Sequence, residues 1–233
     1  MFKDSILREL AYRRASRYGL SRIKLENFLP SSENINLFFS ISNLKNINKT
    51  FPIAYAVNCV TRLCNPVNIF EFGTYKGETT LMIAQNVSDK NATVYTLDIL
   101  QEEVIKYKNE MISSDFKLAT INDSEKGKVL LNYNGQTKII RLFGDSYTYD
   151  FTEYYGKMNF IYVDGSHKYK FVKKDTENAF KMLANTGIIM WDDVMWDDVM
   201  RCLAEFRKNY QIYYLDNGHS GIYCQINGVP QEV

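Results

Sequence analysis

The chain has 233 residues, 45% of them apolar and 24% charged, which excludes a disordered tail or a collagen-like fibre. A net charge of +1 points neither to a nucleic-acid sleeve nor to an acidic solubility segment. A chain of this length buries enough apolar surface to fold without a disulfide or a structural metal.

The four cysteines, Cys59, Cys64, Cys202 and Cys224, include no CxxC pair and read as reduced thiols. The first ten residues, MFKDSILREL, hold four charges and no apolar h-region, and no apolar run approaches the ~18 residues of a membrane span. A cytoplasmic protein without a membrane span is expected. Residues 1–50 carry a net charge of +5 and the remainder −4.

In chain order, residues 2–18 place Phe2, Ile6 and Leu10 at i, i+4 and i+8, with Arg13, Arg14 and Arg17 alongside. That is a basic amphipathic helix. It suits packing on its own domain or a homodimer through these helices, with a membrane surface as the rival partner. Residues 30–50 are Asn-rich around Leu37-Phe38-Phe39 and read as a loop or short helices, a lid. Phe51–Cys64 is helical and Asn65-Pro66 ends it. The expected division is 1–50, an N-terminal helical extension or lid, and 51–233, the main domain.

From residue 67 strands and helices alternate. Strands are expected at 67–72, 93–97, 137–143, 159–163 and 187–191, with helices at 78–87, 101–112, 168–183 and 196–209. Residues 113–136 read as polar and irregular. Strands 210–215 and 221–226 flank Asp216-Asn-Gly-His219-Ser, an Asn-Gly hairpin signal. The pattern predicts an α/β, Rossmann-like, seven-stranded, mostly parallel sheet with one antiparallel strand and helices on both faces. The pentapeptide Trp191-Asp-Asp-Val-Met195 recurs at once as 196–200.

Ligands of open α/β sheets bind outside the C-terminal strand ends. Glu71, Asp98, Asp145, Asp164, Asp192 and Asp193 all fall at such ends. The turn Gly73-Thr-Tyr-Lys-Gly77 follows an apolar strand and opens a helix. It brings backbone close to a ligand and offers free N–H groups. Its spacing is neither GxGxxG nor a P-loop. Asp98, at the end of the next strand, is placed to accept both hydroxyls of a ribose.

Glu71-Phe-Gly-Thr-Tyr-Lys-Gly-Glu-Thr-Thr resembles the first motif of class I S-adenosylmethionine-dependent methyltransferases, in the branch of catechol, caffeoyl-CoA and sugar O-methyltransferases. Val94-Tyr-Thr-Leu-Asp98 resembles the second motif. Phe143-Gly-Asp-Ser, Tyr162-Val-Asp-Gly-Ser-His167, Asp175-Thr-Glu and Gly187-Ile-Ile-Met-Trp-Asp-Asp193 resemble the rest in order and spacing. The resemblance implies that Glu71, Gly73, Thr74, Gly77 and Thr79 line the methionine and ribose side of S-adenosylmethionine. Asp98 would hold the ribose, and Gly144, Asp145 and Ser146 would lie along the adenine. Asp164, Asp192 and Asp193 match the metal-ligand positions, and three hard carboxylates suit Mg²⁺.

His167 stands where the catechol-type enzymes carry a lysine base. It and Asp164 are the expected catalytic residues. The acidic base of the sugar enzymes is replaced here by Ser166. His219 is a candidate substrate contact. The expected activity is metal-assisted O-methylation of a small-molecule or sugar hydroxyl, with no nucleic-acid partner. The alternatives are a metal-independent methyltransferase acting on nitrogen, a carboxylate or a macromolecule, and an inactive binding protein of the same fold.

Overall fold

The computed structural model describes residues 2–25, 35–39, 51–216 and 220–224. Among them, eight strands form one sheet. They are β1 (Ser21–Ile23), β2 (Asn68–Phe72), β3 (Thr93–Asp98), β4 (Lys138–Phe143), β5 (Met158–Val163), β6 (Leu183–Trp191), β7 (Tyr213–Leu215) and β8 (Gly221–Cys224), in the order β1-β7-β8-β6-β5-β2-β3-β4. Only β8 runs antiparallel, to β6 and β7. The count is eight rather than the expected seven. The added strand, β1, pairs in parallel with β7 through Ser21–Tyr213, Arg22–Tyr214 and Ile23–Leu215. Three residues with one apolar side chain leave too short a period to register as a strand in the sequence.

The helices are α1 (Phe2–Arg17), α2 (Phe51–Cys64), α3 (Glu78–Asn86), α4 (Gln101–Val104), α5 (Ser113–Ala119), α6 (Tyr169–Met182) and α7 (Asp197–Phe206). Two departures from the sequence reading matter. The expected helix 101–112 is only α4 with a 3₁₀ turn at 105–107, and the stretch read as irregular holds α5 and a second 3₁₀ turn at 128–132. The expected face of α1 also differs. Leu10 is 55% exposed, whereas Ala11 and Ala15 are buried. Small residues let α1 approach the body closely, and Arg14 bonds Asp197 and the Met195 carbonyl.

Side chains alternate between two cores because successive strand residues point to opposite faces. Phe70, Phe72, Ile161, Val163 and Trp191 join one core with residues of α1, α6 and α7. Ile69, Phe160, Tyr162, Ile188 and Met190 join the other with residues of α2 and α3. Within 35–39, Phe38 is tied down. Its N–H donates to Asn86 Oδ1 at 2.9 Å, and its carbonyl accepts from Asn58 and Asn86 at 2.8 and 2.9 Å. Asn86 ends α3, so this segment sits at the opposite end of that helix from Gly77. The remainder of 30–50 lies outside the described residues, as does His219.

No described helix is long and apolar enough to cross a membrane.

Candidate functional site

The chain leaves β2 on one side for β3 and β4, and returns on the other for β5. That reversal is the switch point where such sheets open a crevice. Register then fixes who stands there. Phe72 lies beside Leu97 and Val163, and Val163 beside Trp191. The next residues, Gly73, Asp164 and Asp192, therefore emerge in a row. Backbone bonds continue the row past the strand ends, from Gly73 N to Leu97 O, Asp164 N to Phe72 O and Asp192 N to Val163 O, at 2.9 to 3.0 Å.

A cavity of about 300 Å³ opens at this rim. Its walls include Gly73, Thr74, Tyr75, Thr79, Asp98, Gly144, Asp145, Ser146, Asp164, His167, Asp175 and Asp193. Glycine at 73 is obligatory. Its φ is +91°, and a Cβ would stand 2.2 Å from the Asp164 carbonyl oxygen.

Two residues expected on the cofactor are not among the lining residues. Gly77 instead turns the chain into α3 at φ +89°, where a Cβ would meet Leu130 Cγ at 2.7 Å. Glu71 is fully buried behind the turn. Its Oε2 accepts from Thr96 at 2.5 Å and from Thr80, while its Oε1 is buried without a hydrogen-bond partner among the described residues. Burial pushes its pKa up to about 7 against the pull of the two threonines. A strand-end carboxylate can point along the strand face as well as outward, a choice that spacing does not encode.

Asp98 directs Oδ2 to the Tyr75 N–H at 2.6 Å. Asp145 is fully engaged. Oδ2 accepts from Tyr107 Oη and Lys106 Nζ, both at 2.7 Å, and Oδ1 accepts from the Tyr147 N–H at 3.0 Å. Asp175, which faces the same wall, is pushed up to about 7 by burial, opposed by a hydrogen bond from Ser146.

Asp164 and Asp193 of the cavity wall form a triad with Asp192, which is not among the lining residues. Asp164, Asp192 and Asp193 offer oxygens within 4.8 Å of one another. Asp193 sits at φ +53°, and its N–H donates to Asp192 Oδ1 at 2.7 Å. Tyr162 donates to Asp192 Oδ2 at 2.8 Å. Burial, then the Asp192 and Asp193 charges, drive the Asp164 pKa far above the carboxylate range. Burial and Asp193 raise that of Asp192 to about 7. Such crowding is the electrostatic demand that a dication satisfies. The duplicated pentapeptide divides its labour. Asp192 and Asp193 follow β6 onto the rim, whereas Asp197 and Asp198 open α7, where acidic side chains suit the helix dipole. Asp197 accepts from Arg14 Nε at 3.0 Å and Tyr18 Oη at 3.1 Å.

His167 bridges the triad to Asp115, a residue that the sequence reading did not single out. Nε2 lies 2.6 Å from Asp193 Oδ2 and Nδ1 lies 2.5 Å from Asp115 Oδ1. Asp115 Oδ2 also accepts from the His167 N–H at 2.7 Å and from Ser166 Oγ at 3.0 Å. Burial opposes the charged imidazolium, but the two carboxylates outweigh it and raise the pKa to about 10. Ser113-Ser114-Asp115 ahead of Phe116 and Leu118 was the available signal, a helix start. Its meeting with residue 167 is tertiary.

Residues 70–194, more than half the chain, match the model of a family described as "Methyltransferase domain". A comparison with curated proteins returned no match. Among solved structures the chain resembles the O-methyltransferase NovP, with a TM-score of 0.56 and 15% identity over 76% of this chain and 80% of that one. It also resembles a Staphylococcus aureus protein described as a caffeoyl-CoA O-methyltransferase, with a TM-score of 0.51 and 16% identity over 86% and 95%. At these identities the likeness concerns the fold.

Proposed function

The chain belongs to the methyltransferase-domain family, and on that premise we propose that it transfers a methyl group from S-adenosylmethionine to a hydroxyl oxygen of a small molecule, with Mg²⁺ at Asp164, Asp192 and Asp193. The observation that carries this reading is the three-carboxylate cluster, two of whose members, Asp164 and Asp193, line the cavity beside the Gly73 turn. The residues fit both groups. The Gly73 turn, packed against the Asp164 carbonyl by the lack of a Cβ and lining the cavity next to Asp98, suits a nucleoside. A set of hard oxygens whose charges repel suits a dication rather than a softer metal.

Methyl transfer forms an O–C bond, breaks an S–C bond and releases the acceptor's proton. When bound, the cation would polarise the acceptor oxygen and lower its pKa. The chain's own task is alignment. The Gly73–Thr79 turn, Asp98 and the Gly144–Ser146 wall would hold the donor, and the triad side would hold the acceptor in line with it. While paired with both Asp115 and Asp193, His167 keeps its proton at neutral pH. To act as a base it must first lose the Asp193 contact. Asp115 would then keep the proton on Nδ1 and leave Nε2 free to accept one.

One observation favours the metal-independent alternative. His167 already supplies a positive charge to Asp193. The experiment that decides is thermal denaturation with S-adenosylhomocysteine, with and without Mg²⁺ and EDTA. It is paired with transfer of labelled methyl into a metabolite extract. Ligand binding to the folded state raises the melting temperature. The expected result is a shift with the nucleoside, a further shift with Mg²⁺, and transfer abolished by EDTA. Undiminished transfer in EDTA would discard the metal. No shift with the nucleoside would discard the donor.

A further inference from the structure

A buried lysine lies beside the carboxylate that ends β3. Lys126 is 1% exposed. Its ammonium donates to the Ile99 carbonyl, stands 3.2 Å from Asp123 Oδ1 and 3.9 Å from Asp98 Oδ1. The backbone around it is stitched to the cavity turn, from Gly127 N to Tyr75 O at 2.7 Å and from Val129 N to Lys76 O at 3.2 Å. The same Asp123 oxygen accepts the Gln101 N–H at 2.9 Å. An apolar side chain could anchor this loop without the cost of dehydrating an ammonium. The charge therefore calls for an electrostatic use.

Backbone N–H groups of Tyr75, Ile99 and Thr74 all bond the Asp98 carboxylate. Oδ2 is committed to the Tyr75 N–H. Oδ1 is too far from Lys126 for a hydrogen bond, yet close enough to feel its charge. Burial drives the Asp98 pKa upward, and the Lys126 charge is foremost among the effects opposing it.

We propose that Lys126 is a positioning residue for ribose recognition, holding the Asp98 carboxylate charged without bonding it, so that it can accept the hydroxyls of an adenine nucleoside. This rests on the reading that the cavity takes S-adenosylmethionine.

The test is calorimetric titration with S-adenosylhomocysteine and with its 2′-deoxyribose analogue. The proteins are the wild type, Lys126→Met, Lys126→Gln and Asp98→Asn, and each Lys126 variant combined with Asp98→Asn. Gln can still bond the Ile99 carbonyl but carries no charge. The wild type is expected to lose about tenfold in affinity when the hydroxyl is removed from the ligand. Both lysine variants are expected to bind S-adenosylhomocysteine about tenfold more weakly and to discriminate the two ligands less. With Asn at 98, the same lysine changes are expected to alter affinity less than about twofold, the non-additivity of a shared interaction. Three results would each overturn the proposal: equal wild-type affinity for the two ligands, wild-type affinity in Lys126→Gln, or additive losses in the double variants. If Lys126→Met does not fold, the Gln variant and the wild-type ligand comparison still decide. A wild type that binds neither ligand overturns the donor assignment itself, which is a separable result.

Discussion

Nε2 of His167 lies 2.6 Å from Oδ2 of Asp193, so one wall of the acid cluster carries its own counter-ion. The imidazolium and a divalent ion would compete for the same oxygen. Magnesium is therefore expected to lower the proton affinity of His167. The check is an NMR titration of the imidazole nitrogens with and without Mg²⁺. A pKa that stays near 10 at saturating metal would place the ion elsewhere.

Asp115→Asn removes the other partner. It is expected to lower the His167 pKa and to cost about 1.5–3 kcal/mol of stability, the worth of a charged hydrogen bond. Denaturant unfolding and the same nitrogen titration measure both. An unchanged imidazole pKa would show that Asp193 alone holds the proton.

Asp193→Asn keeps shape and removes charge. It is expected to abolish the Mg²⁺-dependent rise in melting temperature while leaving S-adenosylhomocysteine affinity within about twofold, since the nucleoside wall is built from other residues. Asp197→Asn with Asp198→Asn is expected to keep the Mg²⁺ response. Loss of that response in the second variant would reverse the roles assigned to the two Trp-Asp-Asp-Val-Met copies.

Glu71→Gln tests the buried carboxyl through pH. A carboxyl raised in the folded state binds its proton more tightly there than when unfolded, so folding is penalised as pH rises between 4.5 and about 7. Below 4.5 both states are protonated and the penalty vanishes. Above 7 it is constant, at up to about 3 kcal/mol. The stability of Glu71→Gln relative to wild type is expected to climb across that window and then level off. Urea unfolding from pH 4.5 to 8 reads it, and a flat difference would mean that Glu71 titrates normally.

Gly73→Ala meets both a left-handed φ and the Asp164 carbonyl. It is expected to cost about 3 kcal/mol or more, a drop of about 6–12 °C in melting temperature. A drop under 2 °C would show that the β2 and β5 ends can part.

What was legible in the sequence follows from which signals are local. The strands 68–72, 93–98, 138–143 and 158–163 announce themselves by apolar runs that end in Gly or Asp. The acid cluster was readable because strand ends share one rim and register brings Asp164 beside Asp192. Asp115 and Lys126 were not readable. Each is a charged residue in a polar stretch, and its burial comes from contacts 52 and 27 positions away in sequence. Glu71 was read onto the rim because spacing cannot say whether a terminal carboxylate faces outward or is folded back under threonine hydroxyls. Residues 21–23 escaped notice because a three-residue strand gains its identity from its neighbour β7.

That small strand has a consequence for handling the protein. Pairing with β1 occupies the outer hydrogen-bonding row of β7, and the opposite border of the sheet is β4, which carries Lys138 and Arg141. Proteolytic trimming up to residue 24 would strip the first border and leave Tyr213–Leu215 as an apolar template for another polypeptide. Nicked preparations would then self-associate by intermolecular strand addition even with the methyl-transfer crevice intact. Light scattering of the trimmed protein would register this as growth in particle size, without any loss of nucleoside binding.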